Sequence, residues 1–276
     1  MPTPSPWPTP AAGDIRLIVS DMDGTLLDEN SHIPAGFDRI LSVMEDRDIV
    51  FAPASGRQLA TLTDLFPTGA GAFIAENGAV VTHAGTLVST TPMAPNVWRD
   101  LVRRSRALPV SPRPGLVLCG VTSAYVEVDD AAFVAETLNY YHRLQIVDDL
   151  LSVTDDIVNV SLYDATDASA LVAPFGPVDV DLDVIVSGQN WIDIMLKATT
   201  KGQATRDLQR ALGVTARQTV AFGDYLNDLS LMDVADYSFA MDNAHPQVKA
   251  AARYVAPANT EAGVVTVLES LLGLDA

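Results

Sequence analysis

Ile15-Arg16-Leu17-Ile18-Val19-Ser20-Asp21-Met22-Asp23-Gly24-Thr25 decides how the rest of the chain is read. The apolar run over 15–19 reads as a short buried strand. Two carboxylates, Asp21 and Asp23, stand at its carboxyl end, and Gly24 lets the backbone turn sharply. In an open α/β sheet, ligands bind outside the carboxyl ends of the strands. Two acids one residue apart at such a place can hold a divalent cation and supply a nucleophile. A strand followed by a plain acidic turn fits the same residues, because Asp and Gly are common turn formers. The stretch alone leaves both readings open, and its partners further along the chain decide.

The next elements follow an α/β rhythm. A helix is expected over 34–46, where Phe37, Ile40, Leu41 and Met44 fall near helical spacing. Ile49-Val50-Phe51-Ala52 is a second buried strand and runs out into Ser55-Gly56-Arg57. A helix over 58–65 and a third strand, Ala72-Phe73-Ile74-Ala75, lead to Glu76-Asn77-Gly78. Strands alternating with helices argue for a parallel sheet covered on both faces.

The rhythm changes near Ala79. Residues 80–88 read as a hairpin with a Gly-containing turn. From there to about 188, strands (115–121, 124–128, 157–162, 184–186) mix with helices (from 96, 130–142, 167–175), as in a separate α+β module. The α/β pattern resumes at Trp191, with a strand over 192–195. A helix opens at Lys201-Gly202, and Thr219-Val220-Ala221-Phe222 ends at Gly223-Asp224. Further elements are expected at 228–233, 237–241, 247–252, 254–255 and 262–272. The expected organisation is a disordered Pro-rich arm over 1–13, a discontinuous core over 14–86 and 190–276, and an inserted module over 87–189.

Composition narrows the partners. The 276 residues are 48% hydrophobic and 19% charged, which suits a globular protein, and the net charge is −18. Such a surface repels nucleic acid and anionic membranes, so neither is expected as a partner. A small anionic substrate needs a locally positive site, from a metal, a few Lys or Arg, or helix N-termini. The one cysteine, Cys119, excludes an intramolecular disulfide and reads as a small buried apolar residue, which fits a reducing cytoplasm. No apolar stretch is long enough to span a bilayer. The first ten residues carry five prolines with no basic start and no apolar run, so they do not read as a signal peptide. His32, His83, His142 and His245 have no ligand spacing, which argues against a His-bound transition metal.

Four loops now fall at strand ends or a helix start: Asp21 with Asp23, Ser55-Gly56, Lys201, and Gly223-Asp224-Tyr225-Leu226-Asn227-Asp228. Each has a use if the substrate is a phosphate ester. Phosphoryl transfer is mostly positioning and charge neutralisation. A carboxylate nucleophile divides it into two steps, and a second carboxylic acid can protonate the leaving oxygen and then activate water. A hard cation such as Mg²⁺ takes oxygen ligands, which Asp21 and Asp224 can supply. The Ser55 hydroxyl, the Gly56 amide and the Lys201 ammonium can meet the phosphate oxygens. Any one motif is weak: a Lys-Gly at a helix start is usually solvated, and Gly-Asp-x-x-Asn-Asp can be an acidic cap.

Taken in order, Asp-Met-Asp-Gly-Thr, Ser-Gly-Arg, Lys-Gly and Gly-Asp-Tyr-Leu-Asn-Asp resemble the haloacid dehalogenase (HAD) superfamily of phosphohydrolases. Asn77-Gly78-Ala79 and the long insertion between Ser55 and Lys201 resemble its Cof-type branch with a class IIB (C2-type) cap. The resemblance implies a Rossmann-like parallel-sheet core with an inserted α+β cap. It implies Asp21 as nucleophile, Asp23 as general acid/base, and Mg²⁺ on Asp21, the Asp23 main-chain carbonyl and Asp224. It further implies that Ser55, Gly56, Arg57, Lys201 and Asn227 bind the phosphate or substrate, with Asp228 supporting the metal through water or Lys201.

The expected function is Mg²⁺-dependent hydrolysis of small phosphorylated metabolites, sugar phosphates foremost, in a cytoplasmic monomer or homodimer. A phosphotransferase or phosphomutase on the same core, and a non-enzymatic phospholigand binder, are the alternatives. Glu76 is read as structural, Asp193 as bonding locally or facing solvent, and Trp98 and Trp191 as packing residues. Arg57 either meets substrate or pairs with an acid.

Overall fold

The computed structural model describes residues 7, 8, 10, 11, 13–67, 69–127, 130–187 and 189–274. The described residues form two compact units. The expected disorder of 1–13 falls mostly outside the described residues; within that stretch, Trp7 Nε1 donates to Val255 O at 3.0 Å.

The first unit comprises 1–56, 66–89 and 200–276. It opens with β1 (Leu17–Asp21), α1 (Phe37–Asp46) and β2 (Val50–Ala54). All of β1 is buried, as a central strand covered on both faces must be. On α1 the apolar stripe Phe37, Ile40 and Met44 is buried, and Phe37 meets Phe51 edge to face at 5.1 Å. Helix α2 (Leu59–Leu65) follows and is described below; then come β3 (Ala72–Ala75), β4 (Val80–His83) and β5 (Thr86–Thr90). The expected hairpin is the β4–β5 pair, turned by Ala84 and Gly85, both at positive φ.

The second unit comprises 57–65 and 90–199. After α2 it contains α3 (Pro95–Arg106), β6 (Gly115–Gly120), β7 (Ala124–Val126), α4 (Ala131–Leu138), β8 (Leu144–Ile146), β9 (Ile157–Tyr163), α5 (Val172–Phe175), β10 (Leu182–Val186) and β11 (Trp191–Leu196). The strands form one sheet in the order β10-β11-β9-β6-β7-β8, antiparallel except for the β7–β8 pair. Trp98, Leu101, Leu118, Leu162, Ile192 and Ile194 lie in its apolar core. Cys119 is buried, as expected, and its Sγ donates to Tyr141 Oη at 3.1 Å.

The observed units differ from the expected boundaries at two places. The sequence places the strand over 192–195 in the core that resumes at 190, but the observed β11 pairs with β9 and β10, Trp191 opposite Tyr163 and Ile194 opposite Val160. The insertion therefore runs to 199. The sequence places helix α2 in the core too, yet it groups with the inserted residues. Gln58 and Arg143 exchange two 2.9 Å hydrogen bonds, and Thr61 Oγ1 donates to Tyr140 O. The sequence carries no signal for the short strand β8, whose Leu144 is half-buried and whose Gln145 and Ile146 are exposed, with no alternation to read.

The chain then returns to the first unit with α6 (Lys201–Leu212), β12 (Thr219–Gly223), α7 (Leu229–Met232), β13 (Tyr237–Met241), α8 (Pro246–Ala251), β14 (Tyr254–Ala256) and α9 (Gly263–Leu272). The sheet order is β14-β13-β12-β1-β2-β3-β4-β5, and β14 through β3 are parallel. Strand β1 lies between β2 and β12, so the order reverses there and opens a crevice at the carboxyl ends. Among the described residues, no helix is long and apolar enough to cross a membrane.

Candidate active site

Asp21 ends β1, Ala54 ends β2 just before Ser55, and Gly223 ends β12 just before Asp224. The parallel register aligns these ends, pairing Asp21 with Ala54 and Ser20 with Phe222. The polar loops therefore emerge side by side from one edge of the sheet. After Asp21 the chain makes a tight turn in which Gly24 takes φ 79°. A Cβ at Gly24 would collide with the Asp224 carboxylate, so the glycine serves both the turn and the approach of the two acidic loops. Thr25 Oγ1 donates to Asp224 Oδ1 at 3.2 Å, and Asn243 Nδ2 holds Gly24 O at 2.8 Å.

Lys201 is the first residue of α6, capped by Thr200, whose hydroxyl accepts from Gln203 N. A cation at a helix N-terminus opposes the helix dipole. Here the ammonium is fully buried and donates to Asp21 Oδ1 and, at 2.6 Å, to Asp228 Oδ1. The other Asp228 oxygen accepts from the backbone N–H groups of Asp224 and Tyr225, at 3.0 and 3.2 Å. Asp228 thus ties the lysine to the loop that presents Asp224. Ser230 Oγ accepts from Gly202 N at 3.0 Å and fastens the start of α6 to α7.

Charge in this cluster is unbalanced. The carboxylates of Asp21, Asp224 and Asp228 place oxygens within 4.8 Å of one another around one lysine. Burial, then the Asp228 charge, push the Asp21 carboxyl up to about 8, although Lys201 pulls the other way. Burial and Asp228 raise Asp224 as well. Burial would lower the Lys201 ammonium, but Asp21 and Asp228 outweigh it and hold its pKa above the usual lysine value. Three carboxylates against one ammonium, all oxygen donors, suit a hard divalent cation.

Four of the nine residues expected in the site are brought together. Asp21, Lys201, Asp224 and Asp228 form the cluster, and Ser55 is buried at the adjacent strand end. Asp23 is exposed in the turn. Asn227 is exposed and its Nδ2 donates to Asn77 Oδ1 at 3.2 Å. Arg57 belongs to the second unit. Asp193 bonds across to the neighbouring strand β9, accepting from Ser161 Oγ at 2.5 Å and Asn159 Nδ2 at 3.0 Å. Thr25, Ser230 and Asn243 join the site without a role predicted from the sequence. Thr25 was visible as a hydroxyl beside the acidic turn, whereas Ser230 and Asn243 carry no local signal because their partners are distant in sequence.

Residues 18–268 match the model of the haloacid dehalogenase-like hydrolase family. A 5-amino-6-(5-phospho-D-ribitylamino)uracil phosphatase of Escherichia coli is 32% identical over 268 residues, which is 94% of this chain and 96% of the relative. Among solved structures, a Thermotoga maritima protein superposes with a TM-score of 0.80 at 26% identity, covering 92% of this chain and 97% of that one. A Streptococcus mutans protein does so with a TM-score of 0.78 at 27% identity, covering 94% and 99%.

Proposed function

The chain belongs to the haloacid dehalogenase-like hydrolases, as a phosphatase of the Cof type, and on that premise we propose that it hydrolyses small phosphate monoesters through a phospho-aspartyl intermediate on Asp21. The observation that carries this reading is the buried Lys201 ammonium held between Asp21 and Asp228. The ammonium aims the Asp21 carboxylate and works against the burial that favours its protonated form, and a divalent cation bound beside it would complete the ionisation that a nucleophile requires.

In the proposed first step an Asp21 oxygen attacks phosphorus and forms an O–P bond while the ester O–P bond breaks. Asp23, exposed two residues on, gives its proton to the leaving alcohol oxygen. In the second step Asp23 takes a proton from the attacking water, the acyl phosphate opens, and Asp21 is restored with release of inorganic phosphate. The Ser55 hydroxyl, the Gly56 N–H and the Lys201 ammonium offer donors to the phosphoryl oxygens. Asp21, the Asp23 main-chain carbonyl and Asp224 would hold Mg²⁺, which when bound neutralises charge between nucleophile and phosphate. With a net charge of −18, the protein needs that local neutralisation to admit an anion.

For substrate we favour phosphorylated sugars and polyols. The Escherichia coli relative named for a ribityl phosphate makes 5-amino-6-(5-phospho-D-ribitylamino)uracil the first compound to try. We place the reaction in the cytoplasm, in keeping with a single buried cysteine.

The test is phosphate release from p-nitrophenyl phosphate, sugar phosphates and the ribityl compound, with Mg²⁺ and with EDTA, for wild type and Asp21→Asn. Release that requires Mg²⁺ and is lost in Asp21→Asn supports the mechanism. Isomerised product without free phosphate would make the protein a phosphomutase, and ligand-induced stabilisation without turnover would make it a binder.

A further inference from the structure

The turn Glu76-Asn77-Gly78 at the end of β3 takes no part in the chemistry above, yet its backbone is unusual. Its three residues have φ of 50°, 55° and 106°. Non-glycine residues visit this left-handed region at a cost, and runs of them persist where surrounding contacts over-determine the conformation. Those contacts lead to the phosphate loops.

Asn77 N donates to Ser55 O at 2.9 Å, and Ser55 N donates to Ile74 O at 2.9 Å, so β3 and its turn clasp Ser55 from both sides. The Asn77 carboxamide lies on Gly56, close enough that a Cβ there would sit 3.0 Å from Nδ2. Its Oδ1 accepts from Asn227 Nδ2 at 3.2 Å. One residue further on, Gly78 is pressed against the backbone before Lys201: a Cβ there would lie 2.5 Å from Thr200 O. The turn therefore touches the Ser55-Gly56 loop, the start of α6 and the loop after β12.

We propose that Asn77 is a positioning residue for the phosphoryl group, whose carboxamide orients Asn227 against the Ser55-Gly56 loop so that donors from two loops converge on one phosphate. This rests on the phosphatase reading of the site. Asn227 is exposed on a short turn, and a side chain free to rotate there would have to be ordered by each incoming substrate. The hydrogen bond to Asn77 orders it beforehand and uses one of its two amide protons, which leaves the other for a ligand oxygen.

The rival explanation is that Asn77 is present only because asparagine tolerates left-handed backbone. Asn77→Gly separates the two, since glycine keeps the backbone and deletes the carboxamide. Wild type, Asn77→Gly, Asn227→Ala and the double variant are compared with p-nitrophenyl phosphate and Mg²⁺, with inorganic phosphate as competitive inhibitor. For Asn77→Gly the expected result is kcat/KM about tenfold lower and phosphate inhibition about tenfold weaker, the scale of one lost polar contact, with Tm unchanged. Because Asn77 acts through Asn227, the double variant should be no worse than Asn227→Ala. Wild-type kinetics in Asn77→Gly, or losses that simply add in the double variant, overturn the proposal. Should wild type release no phosphate, the function reading fails separately. Direct binding of inorganic phosphate then decides for Asn77: weakened binding in Asn77→Gly supports it, and unchanged binding overturns it.

Discussion

Lys201 Nζ lies 2.6 Å from Asp228 Oδ1 with both side chains sealed from solvent, 27 residues apart in sequence. Neither residue is tolerable there without the other, because an unpaired buried charge is strongly destabilising. The same ammonium reaches Asp21, so the pair that holds the loops together also holds the proposed nucleophile.

Replacing Lys201 by Met should therefore cost stability as well as activity. Urea unfolding in EDTA at neutral pH is expected to show a loss of about 3 kcal/mol or more, the range seen when one partner of a buried pair is removed. A variant as stable as wild type would mean that the ammonium is not compensating buried charge.

The metal-free protein should lose stability as pH rises. Asp21 goes from an ordinary 3.8 to about 8 on folding, so the fold favours its protonated form. That contribution is fully present below about pH 4 and is lost as pH climbs through about 8. Asp224 is raised too and acts in the same direction. Melting temperature in EDTA should fall between pH 5.5 and 8.5, and Asp21→Asn should flatten the slope. Added Mg²⁺ should flatten it as well, since a bound cation offsets the carboxylate charge. A melting temperature that climbs over this range in EDTA would contradict the account.

Gly24→Ala meets two obstacles, a φ of 79° and the Asp224 carboxylate beside it. Destabilisation above about 1 kcal/mol is expected. Phosphatase activity should drop by about a hundredfold, because displacing Asp224 by an ångström misplaces the acidic site. Circular dichroism and turnover on the same sample check both parts, and a fully active, equally stable variant would refute them.

Ser230→Ala removes the acceptor for Gly202 N, one of the amides at the start of α6 that have no partner within the helix. A cost of about 0.5–2 kcal/mol is expected, as for a lost helix cap, and thermal unfolding measures it. No change in melting temperature would show that water replaces the serine at that amide.

Much of the core could be read from the chain. The strand before Asp21, the runs at 49–52, 72–75 and 219–222, and the hairpin at 80–88 carry periodicity and turn chemistry that are local properties, and the observed strands agree with them. The acidic, serine and lysine loops were legible as well, since each stands where a strand ends or a helix begins.

The strand at 191–196 shows where such reading stops. Its short apolar run, broken only by Asp193, specifies an extended segment but not a partner, and its place beside β9 and β10 is settled by long-range pairing. Helix α2 presents the same difficulty: its helical pattern was legible, but its hydrogen bonds to residues near 140 were not. Lys201 is the sharpest case. A Lys-Gly at a helix start looks like a solvated surface residue, and composition alone leaves it there. Burial is a property of packing, and only the folded chain surrounds that ammonium with Asp21 and Asp228. Local chemistry settled which residues stand at the strand ends; the tertiary contacts settled which of their charges lie close enough, and dry enough, to act on one another.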